Sequence, residues 1–254
     1  MMIHEKYVFL LITWLLPCMA SAQYTDHRNR HVDSLEQVLA TNPPSGIALL
    51  GIYNSLVWGY SEINNEKSKD YALKGVRLSE QLDNRKALTD FNGLLAMCYY
   101  GNSQYDSALF HYNKALEAAA SLKTAKNSKG EPYTERFIDD VYSNIYGNMG
   151  NLFNIQGKHH EALEYYQKAL SIFEKWGWQE SQTIAHEKIG EMYRTMNNFE
   201  QATHYFIKMD SLAYVTGDSL RIATAKWYLS HLYLNTKEYD KALQNAELAY
   251  HYYF

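Results

Sequence analysis

Three asparagines at helical spacing are the side chains of this sequence best suited to binding another molecule. Asn144, Asn148 and Asn151 stand at i, i+4 and i+7, offsets that place side chains on one face of an α-helix. Asn is a mediocre helix former, so three in one stretch cost helix propensity unless their amides are used. Each amide donates and accepts hydrogen bonds, which suits it to the backbone of an extended peptide. The alternative interpretation is an asparagine face that is hydrated or that bridges neighbouring helices.

Two later segments carry charged and aromatic residues at similar spacing. Glu187, Glu191 and Arg194 repeat the i, i+4, i+7 pattern, and Trp227 and His231 stand four residues apart. A tryptophan beside a histidine offers a flat apolar anchor of the kind that dominates many interfaces. The candidate binding residues for a protein or peptide ligand are therefore Asn144, Asn148, Asn151, Glu187, Glu191, Arg194, Trp227 and His231.

The residues needed for enzymatic chemistry do not occur in a recognisable arrangement. His186-Glu187 begins like the helix of a zinc protease, but Gly190 stands where the second histidine is required. No Gly-x-Ser-x-Gly nucleophile motif is present. We expect no catalytic residue, no metal site and no cofactor. An enzyme that uses unconventional residues is the alternative class of function.

The elements that would position the candidate residues repeat along the chain. Small residues recur at a constant interval, which is lengthened by an insertion only before the third: Ser68, Ala108, Ala162, Ala202 and Ala242. An aromatic residue stands nine positions before each of the last four: Tyr99, Phe153, Tyr193 and Tyr233. A fixed period of roughly 40 residues predicts one supersecondary unit that is copied and stacked.

Each copy is predicted to be a pair of helices. The matching residues lie three, four and seven positions apart, which fits one face of a helix and not the alternation of a strand. Gly177 and Gly217 stand where a helix end favours a left-handed backbone. A small residue at each crossing would let two helices approach to about 8–10 Å.

These landmarks resemble the tetratricopeptide repeat family. Its signature is matched first by Tyr146, Met149-Gly150, Phe153, Ala162 and Tyr166, and next by Ile189-Gly190, Tyr193, Ala202 and Phe206. The resemblance implies an all-α fold, a right-handed α-solenoid of about five antiparallel helix pairs, and a non-enzymatic role in protein–protein interaction. In this family the first helix of each pair lines a concave groove, where the candidate residues named above would lie. Copies of this length resemble those in the envelope-side regions of bacterial sensory and signalling proteins.

The predicted organisation follows the repeat. Residues 1–22 form a signal peptide, residues 23–45 a capping helix with a proline-rich turn, and residues 46–254 the repeat array. Within the array the copies are 46–84, 85–123, 134–177, 178–217 and 218–254, with residues 124–133 as an inserted loop. That loop is either a hinge or binding loop or, as we favour, a tolerated surface insertion.

The N-terminal residues resemble a secretory signal peptide. Lys6 precedes an apolar run over 7–16, and Ala20-Ser21-Ala22 is a small-x-small cleavage site before Gln23. The apolar run is about ten residues, whereas a spanning helix needs roughly 20. We therefore expect secretion across the inner membrane, a periplasmic location, and no stable membrane span in the mature chain.

The two cysteines favour neither a lipid anchor nor a disulfide. Pro17 precedes Cys18 at a position where a lipid-modified cysteine normally follows a small residue, so lipoprotein anchoring is not expected. After loss of the signal peptide Cys98 would be the remaining cysteine, and stability would come from packing. The net charge is −4, with no basic stripe, so we expect no nucleic-acid partner.

The C-terminal aromatic residues predict an uncovered helix surface. Another helix-ending glycine would be due one full period after Gly217, beyond the end of the sequence, which leaves Tyr250, Tyr252, Tyr253 and Phe254 without a following repeat. One explanation is that a partner or a second copy of the chain covers them, giving self-association. The other, which we favour, is that the chain is a shortened relative of a longer protein. The favoured function is an envelope scaffold that binds a peptide or protein segment. The alternative is a truncated sensory region of a histidine kinase or helix-turn-helix regulator.

Overall fold

Residues 29–253, described by a computed structural model, form helices joined by short turns. The helices are α1 (29–41), α2 (Gly46–Tyr60), α3 (Asn65–Gln81), α4 (Arg85–Gly101), α5 (Tyr105–Ser121), α6 (Glu135–Ile155), α7 (His159–Trp176), α8 (Gln179–Thr195), α9 (Phe199–Thr216), α10 (Ser219–Asn235) and α11 (Tyr239–Tyr253). Within this range the sole β pairing is an isolated bridge between Lys126 and Pro132. The predicted all-α solenoid of helix pairs is confirmed.

The helices pack as two units that divide after His111. None of the helices between residues 29 and 253 is both long and apolar enough to cross a membrane. The predicted signal peptide of residues 1–22 lies outside the described residues, as does Phe254.

Local sequence fixes where the helices begin and end. Several helices start after a side chain that accepts a hydrogen bond from the backbone N–H three residues later: Asn64, Asn84, Thr134, Asn198 and Asp218. Gly177 (φ 66°) and Gly217 (φ 72°) end α7 and α9 in the left-handed conformation, as predicted from their spacing. Each pair is therefore delimited by residues visible in the sequence.

In the first unit, α1 packs on α2 and α3. Val32 is 2% exposed and lies against Gly59, where an added Cβ would be 2.4 Å from the valine side chain. The Glu36 carboxylate accepts hydrogen bonds from the hydroxyls of Tyr60 and Tyr71, each at 2.8 Å. These contacts cover the apolar surface of the first helix pair.

Small residues allow close helix contacts in both units. The repeating small residues are all between 0 and 2% exposed: Ser68, Ala108, Ala162, Ala202 and Ala242. In the second unit a Cβ added to Gly150 would lie 2.5 Å from the ring of Tyr166, and one added to Gly190 would lie 2.9 Å from the ring of Phe206. The aromatic rings of α7 and α9 thus rest directly on the backbones of α6 and α8.

The segment between α5 and α6 is a turn organised by one asparagine. Asn127 Oδ1 accepts hydrogen bonds from the backbone N–H groups of Lys129 (2.9 Å) and Glu131 (3.1 Å). This Asx-type turn gives the inserted residues a defined local conformation.

Helix α6 is 21 residues long, and its first turn is attached to the end of α7. Lys175 Nζ lies 2.6 Å from both Glu135 Oε1 and Asp139 Oδ2. The indole of Trp176 donates to Asp139 at 2.9 Å. Burial alone would raise the pKa of Asp139, but the hydrogen bonds from Lys175 and Trp176 lower it below its usual value. The insertion therefore leads into a helix start that is firmly held.

Helix α11 leaves a stripe of large side chains exposed. Tyr239, Leu243, Tyr250 and Tyr253 are between 48 and 68% exposed. Tyr252 packs edge-on against Tyr214 of α9, with ring centroids 5.9 Å apart. Self-association through this helix stays a prediction.

Candidate functional site

The three predicted asparagines line one cavity in the second unit. The cavity has a volume of about 260 Å³ and lies between α6 and α8, over α7. Its lining residues come from these three helices: Asp140, Ser143, Asn144, Gly147, Asn148, Asn151, Tyr166, Ala169, Phe173, Ser181, Ile184, Ala185 and Lys188. Helical spacing alone thus grouped side chains that the fold brings to a common wall.

The three amides differ in how much of their hydrogen-bonding capacity the protein uses. Asn144 Nδ2 donates to the backbone carbonyl of Asp140 at 2.9 Å, and Asn151 Oδ1 accepts from the Tyr166 hydroxyl at 2.7 Å. The side chain of Asn148 makes no hydrogen bond to any residue between 29 and 253. The wall therefore presents an acceptor on Asn144, a donor on Asn151, and both on Asn148.

Most of the buried lining is apolar, and the hydroxyl of the buried Ser143 donates to the Asp140 carbonyl at 2.9 Å. Ala169 and Ala185 are buried, and Phe173 is partly buried. Ile184 stands at the opening and is 43% exposed. A Cβ added to Gly147 would meet no atom within 4 Å, because open space lies next to this glycine. Polar groups at the edge and carbon at the base are the usual composition of a ligand pocket.

Lys188 contributes a positive charge that the sequence pattern missed. It lines the cavity, and its Nζ lies 3.4 Å from Glu191 Oε2. The sequence pattern on α8 consists of Glu187, Glu191 and Arg194. Lys188 directly follows Glu187 and does not belong to that pattern. Ile184 and Lys188 could have been found by asking which residues of α8 face the asparagines, whereas Gly147 lies between Asn144 and Asn148 on α6 itself.

The acidic residues of the predicted stripe serve mainly to connect α8 to α10. Glu187 Oε2 lies 2.8 Å from Arg221 Nη1, and Glu191 Oε1 accepts a hydrogen bond from the Tyr228 hydroxyl at 2.5 Å. Burial, and then the hydrogen bond to Glu191, raise the pKa of Tyr228. These carboxylates are committed to internal contacts, which makes them supports for the face and not its most available groups.

The remaining predicted residues lie beyond the cavity. Arg194 is exposed, with its guanidinium carbon 6.0 Å from the centre of the Tyr228 ring. Trp227 is 48% exposed and contacts His231 edge to face, with centroids 4.5 Å apart. The cavity joins α6 to α8, and Arg221 and Tyr228 of α10 bind α8, so the candidate residues lie on three neighbouring helices.

His186 is buried and is not part of a metal centre in the described chain. Its side chain is 3% exposed, and its Nδ1 has no hydrogen-bond partner among residues 29–253. Burial, and then the charges of Lys208 and His204, lower its pKa to about 4. No group of three or more histidine, cysteine or acidic side chains in that range is arranged to hold a metal ion.

A second cavity, of about 290 Å³, lies in the first unit between α2 and α4. It is lined by Val57, Trp58, Ser61, Glu62, Asn65, Ser68, Leu94, Met97, Cys98, Gly101 and Asn102. Asn65 Nδ2 donates to the Cys98 carbonyl at 2.9 Å and to Asn102 Oδ1 at 2.6 Å. The Ser68 hydroxyl donates to the Val57 carbonyl at 2.8 Å and lies 3.3 Å from Cys98 Sγ. Burial raises the pKa of the Cys98 thiol.

Comparison with known proteins supports the repeat assignment. Residues 141–208 and residues 89–122 each match a model of the tetratricopeptide repeat. No curated protein sequence matches the chain.

Solved structures share this fold at low sequence identity. BtubC from P. vanneervenii is 18% identical over 91% of this chain and 90% of its own, with a TM-score of 0.71. The TPR-like repeats of a putative kinesin light chain from Podosopora anserina are 14% identical over 80% of this chain and 94% of their own (TM-score 0.62). A STAND signal-transduction ATPase with a tetratricopeptide repeat sensor, from Pyrococcus horikoshii, is 20% identical over 89% of this chain and 35% of its own (TM-score 0.72).

The helix pairs, the small residues buried where helices meet, the two family-model matches and the structural neighbours lead to the same conclusion. The chain is a tetratricopeptide repeat protein.

Proposed function

We propose that the second unit binds an extended polypeptide segment along the face formed by α6, α8 and α10. Tetratricopeptide repeats generally act as non-enzymatic scaffolds for protein–protein interaction, and this fold suggests the same class of partner here. The observation that carries the proposal is the row of three asparagines beside a cavity, with the amide of Asn148 unpaired within residues 29–253.

The unused hydrogen-bonding groups match a peptide backbone. A peptide unit offers one N–H donor and one C=O acceptor. Asn148 can satisfy both, Asn144 Oδ1 can accept, and Asn151 Nδ2 can donate. Such side-chain contacts recognise the main chain, so they hold many sequences in the extended conformation.

Trp227 supplies an apolar contact further along the same face. Its indole is half exposed and is supported edge-on by His231. Tryptophans of this kind often contribute strongly to binding, because they lose a large apolar area to the partner. Glu187 and Glu191 would keep α8 and α10 in register while the ligand is bound.

A peptide-display selection against the full chain tests the proposal. Selected peptides are expected to lose about three- to tenfold in affinity on Asn148→Ala, the range for one or two hydrogen bonds. Asn113→Ala is the matched control, because Asn113 is an exposed helical asparagine outside the cavity. Equal affinities for the Asn148 variant and the wild type would refute binding at the asparagines.

We propose further that the chain is exported and that it senses or scaffolds in the bacterial envelope. The signal-like pattern of residues 1–22 supports export. Mass spectrometry of the protein from periplasmic extract is expected to find an N-terminus at Gln23. A protein that begins at Met1 would contradict export.

A sensory region of a larger signalling protein is the second candidate function. It is supported by the likeness to the STAND protein whose repeats are described as a sensor, of which this chain spans about a third. If this is so, we expect the same reading frame to encode a further segment with a membrane span and an output domain. An intact mass of the native protein that corresponds to a C-terminus at Phe254 would argue against this function.

A further inference from the structure

We propose that the second-unit cavity accepts one aliphatic side chain of the bound segment, of about leucine or methionine size, and that Gly147 sets this size limit. The inference rests on the proposed function, because it assumes that a polypeptide lies on this face. It adds a sequence preference to a contact that would otherwise recognise only the main chain.

Gly147 is a glycine that no neighbouring atom requires. It lies in the interior of α6, where glycine costs about 1 kcal/mol of helix stability relative to alanine. Gly150, one turn later, is explained by packing, because its Cβ would lie 2.5 Å from the Tyr166 ring. At Gly147 an added Cβ would meet nothing within 4 Å, so the backbone itself forms part of the cavity wall.

The base of the cavity favours an uncharged apolar group. Ala169 and Ala185 are 2% and 4% exposed, and Phe173 lies beside them. A charged side chain placed against these surfaces would lose hydration, and the carboxylate in the lining, Asp140, is exposed to solvent. The volume of about 260 Å³ is near the lower end for ligand pockets, which suits a single side chain.

The asparagines lie where the main chain on either side of that side chain would pass. Asn144 is three residues before Gly147, Asn148 directly follows it and Asn151 is four residues after it, all at the cavity wall. A residue whose side chain enters the cavity would thus place its own N–H and C=O next to the amide of Asn148. Main-chain and side-chain recognition therefore meet at one position of the ligand.

Capped amino acids provide a direct test. N-acetyl-leucine methylamide, its alanine counterpart and its lysine counterpart are titrated at millimolar concentrations into the full-length protein, with binding followed by NMR. The leucine derivative is expected to bind the wild type on the order of fiftyfold more tightly than the alanine derivative, since it buries three additional carbon atoms. The lysine derivative is expected to bind no better than the alanine derivative.

Substitutions at Gly147 then change the preference. Gly147→Ala is expected to weaken leucine binding severalfold, and Gly147→Leu to abolish it. The melting temperature of Gly147→Ala is expected to rise, because alanine favours the helix, so lost binding cannot be due to unfolding. Gly93→Ala is the matched control, since Gly93 is inside α4, has no atom within 4 Å of an added Cβ, and lies outside the cavity.

The two proposals fail in different ways. Equal binding of leucine and alanine derivatives to the wild type, with both weakened by Asn148→Ala, would overturn the side-chain pocket and leave main-chain recognition intact. Unchanged leucine binding in Gly147→Leu would overturn the role of Gly147. The absence of binding by all three derivatives would also overturn the pocket, whereas display-selected peptides would still report on the asparagines.

Discussion

The cavities of the two units are built alike but differ in their unused hydrogen-bonding capacity. Each lies between the first helices of successive pairs. In the first unit, Asn65 donates both to the Cys98 carbonyl and to Asn102, so its amide hydrogens are spent within the protein. In the second unit, Asn148 makes no hydrogen bond to any described residue. The two cavities are similar in size. They differ as candidate sites because the cavity of the second unit has a polar group that no described residue binds.

The largest expected difference between the two units is the loss of stability in acid. It arises from His186 of the second unit, which follows the cavity residue Ala185. Its pKa is about 4 in the folded protein and about 6.5 when unfolded, so the unfolded chain binds more protons between these values. Stability should thus fall as pH drops from 6.5 to 4, by about 3 kcal/mol in total. His186→Phe should remove this slope in urea unfolding measured across that range.

The control for this measurement is His160→Gln, because His160 is exposed at the start of α7. That variant should keep the slope of the wild type. A His186→Phe protein with the same acid sensitivity as the wild type would show that burial of this imidazole does not carry the effect.

Packing should not distinguish the units, and glycine substitutions can show this. An added Cβ would lie 2.2 Å from the Phe91 ring at Gly75 in the first unit, and 2.5 Å from the Tyr166 ring at Gly150 in the second. Gly75→Ala and Gly150→Ala should each destabilise the protein by about 1–3 kcal/mol through overpacking. Denaturant unfolding measures both, with Gly93→Ala expected to be neutral or stabilising. A stable Gly150→Ala variant would mean that the second unit is more loosely packed than the first.

Asparagine substitutions test the difference in hydrogen bonding itself. Asn65→Ala should cost about 1 kcal/mol, since it removes the side-chain donor of the Cys98 carbonyl, which then keeps only the bond from the Asn102 N–H at 3.2 Å. Asn148→Ala should leave the free energy of unfolding unchanged or raise it slightly, because alanine favours a helix. Equal losses in urea unfolding would indicate that Asn148 has a structural partner, and would make the two cavities equivalent.

The smallest expected effect concerns the cap of the first unit. Burial alone would raise the pKa of Glu36, but hydrogen bonds from Tyr71 and Tyr60 and the charge of Lys67 lower it. Its contribution to stability is therefore present above the ordinary carboxyl pKa and is lost as pH falls through the lower folded value. Glu36→Gln should flatten the unfolding profile below about pH 4.5 and leave the region above pH 5 parallel to the wild type.

Much of the fold was predictable because it depends on local, repeated chemistry. The period of the small residues gave the helix pairs, and Gly177 and Gly217 marked two helix ends correctly. The asparagines were grouped by helical spacing alone, since Asn144, Asn148 and Asn151 belong to one helix. The binding role assigned to them stays a prediction.

Other features depend on contacts between distant parts of the sequence. Glu187 meets Arg221, and Glu191 meets Tyr228, each on a helix of the following repeat, so spacing along α8 could not show that these acids have internal partners. Lys188 and Gly147 enter the cavity from different helices, and only the crossing of α6 and α8 brings them together. Spacing along the sequence placed Glu187 and Glu191 on one face of α8. Only the fold shows that they pair with residues of α10.

The anchored first turn of α6 has a practical consequence for protein engineering. Lys175 and Trp176 hold Glu135 and Asp139 just before the cavity begins at Asp140. Changes in the preceding surface turn should therefore be absorbed before they reach the asparagines. A fluorescent tag or an epitope placed between Ser128 and Gly130 would label the protein while leaving the recognition surface undisturbed.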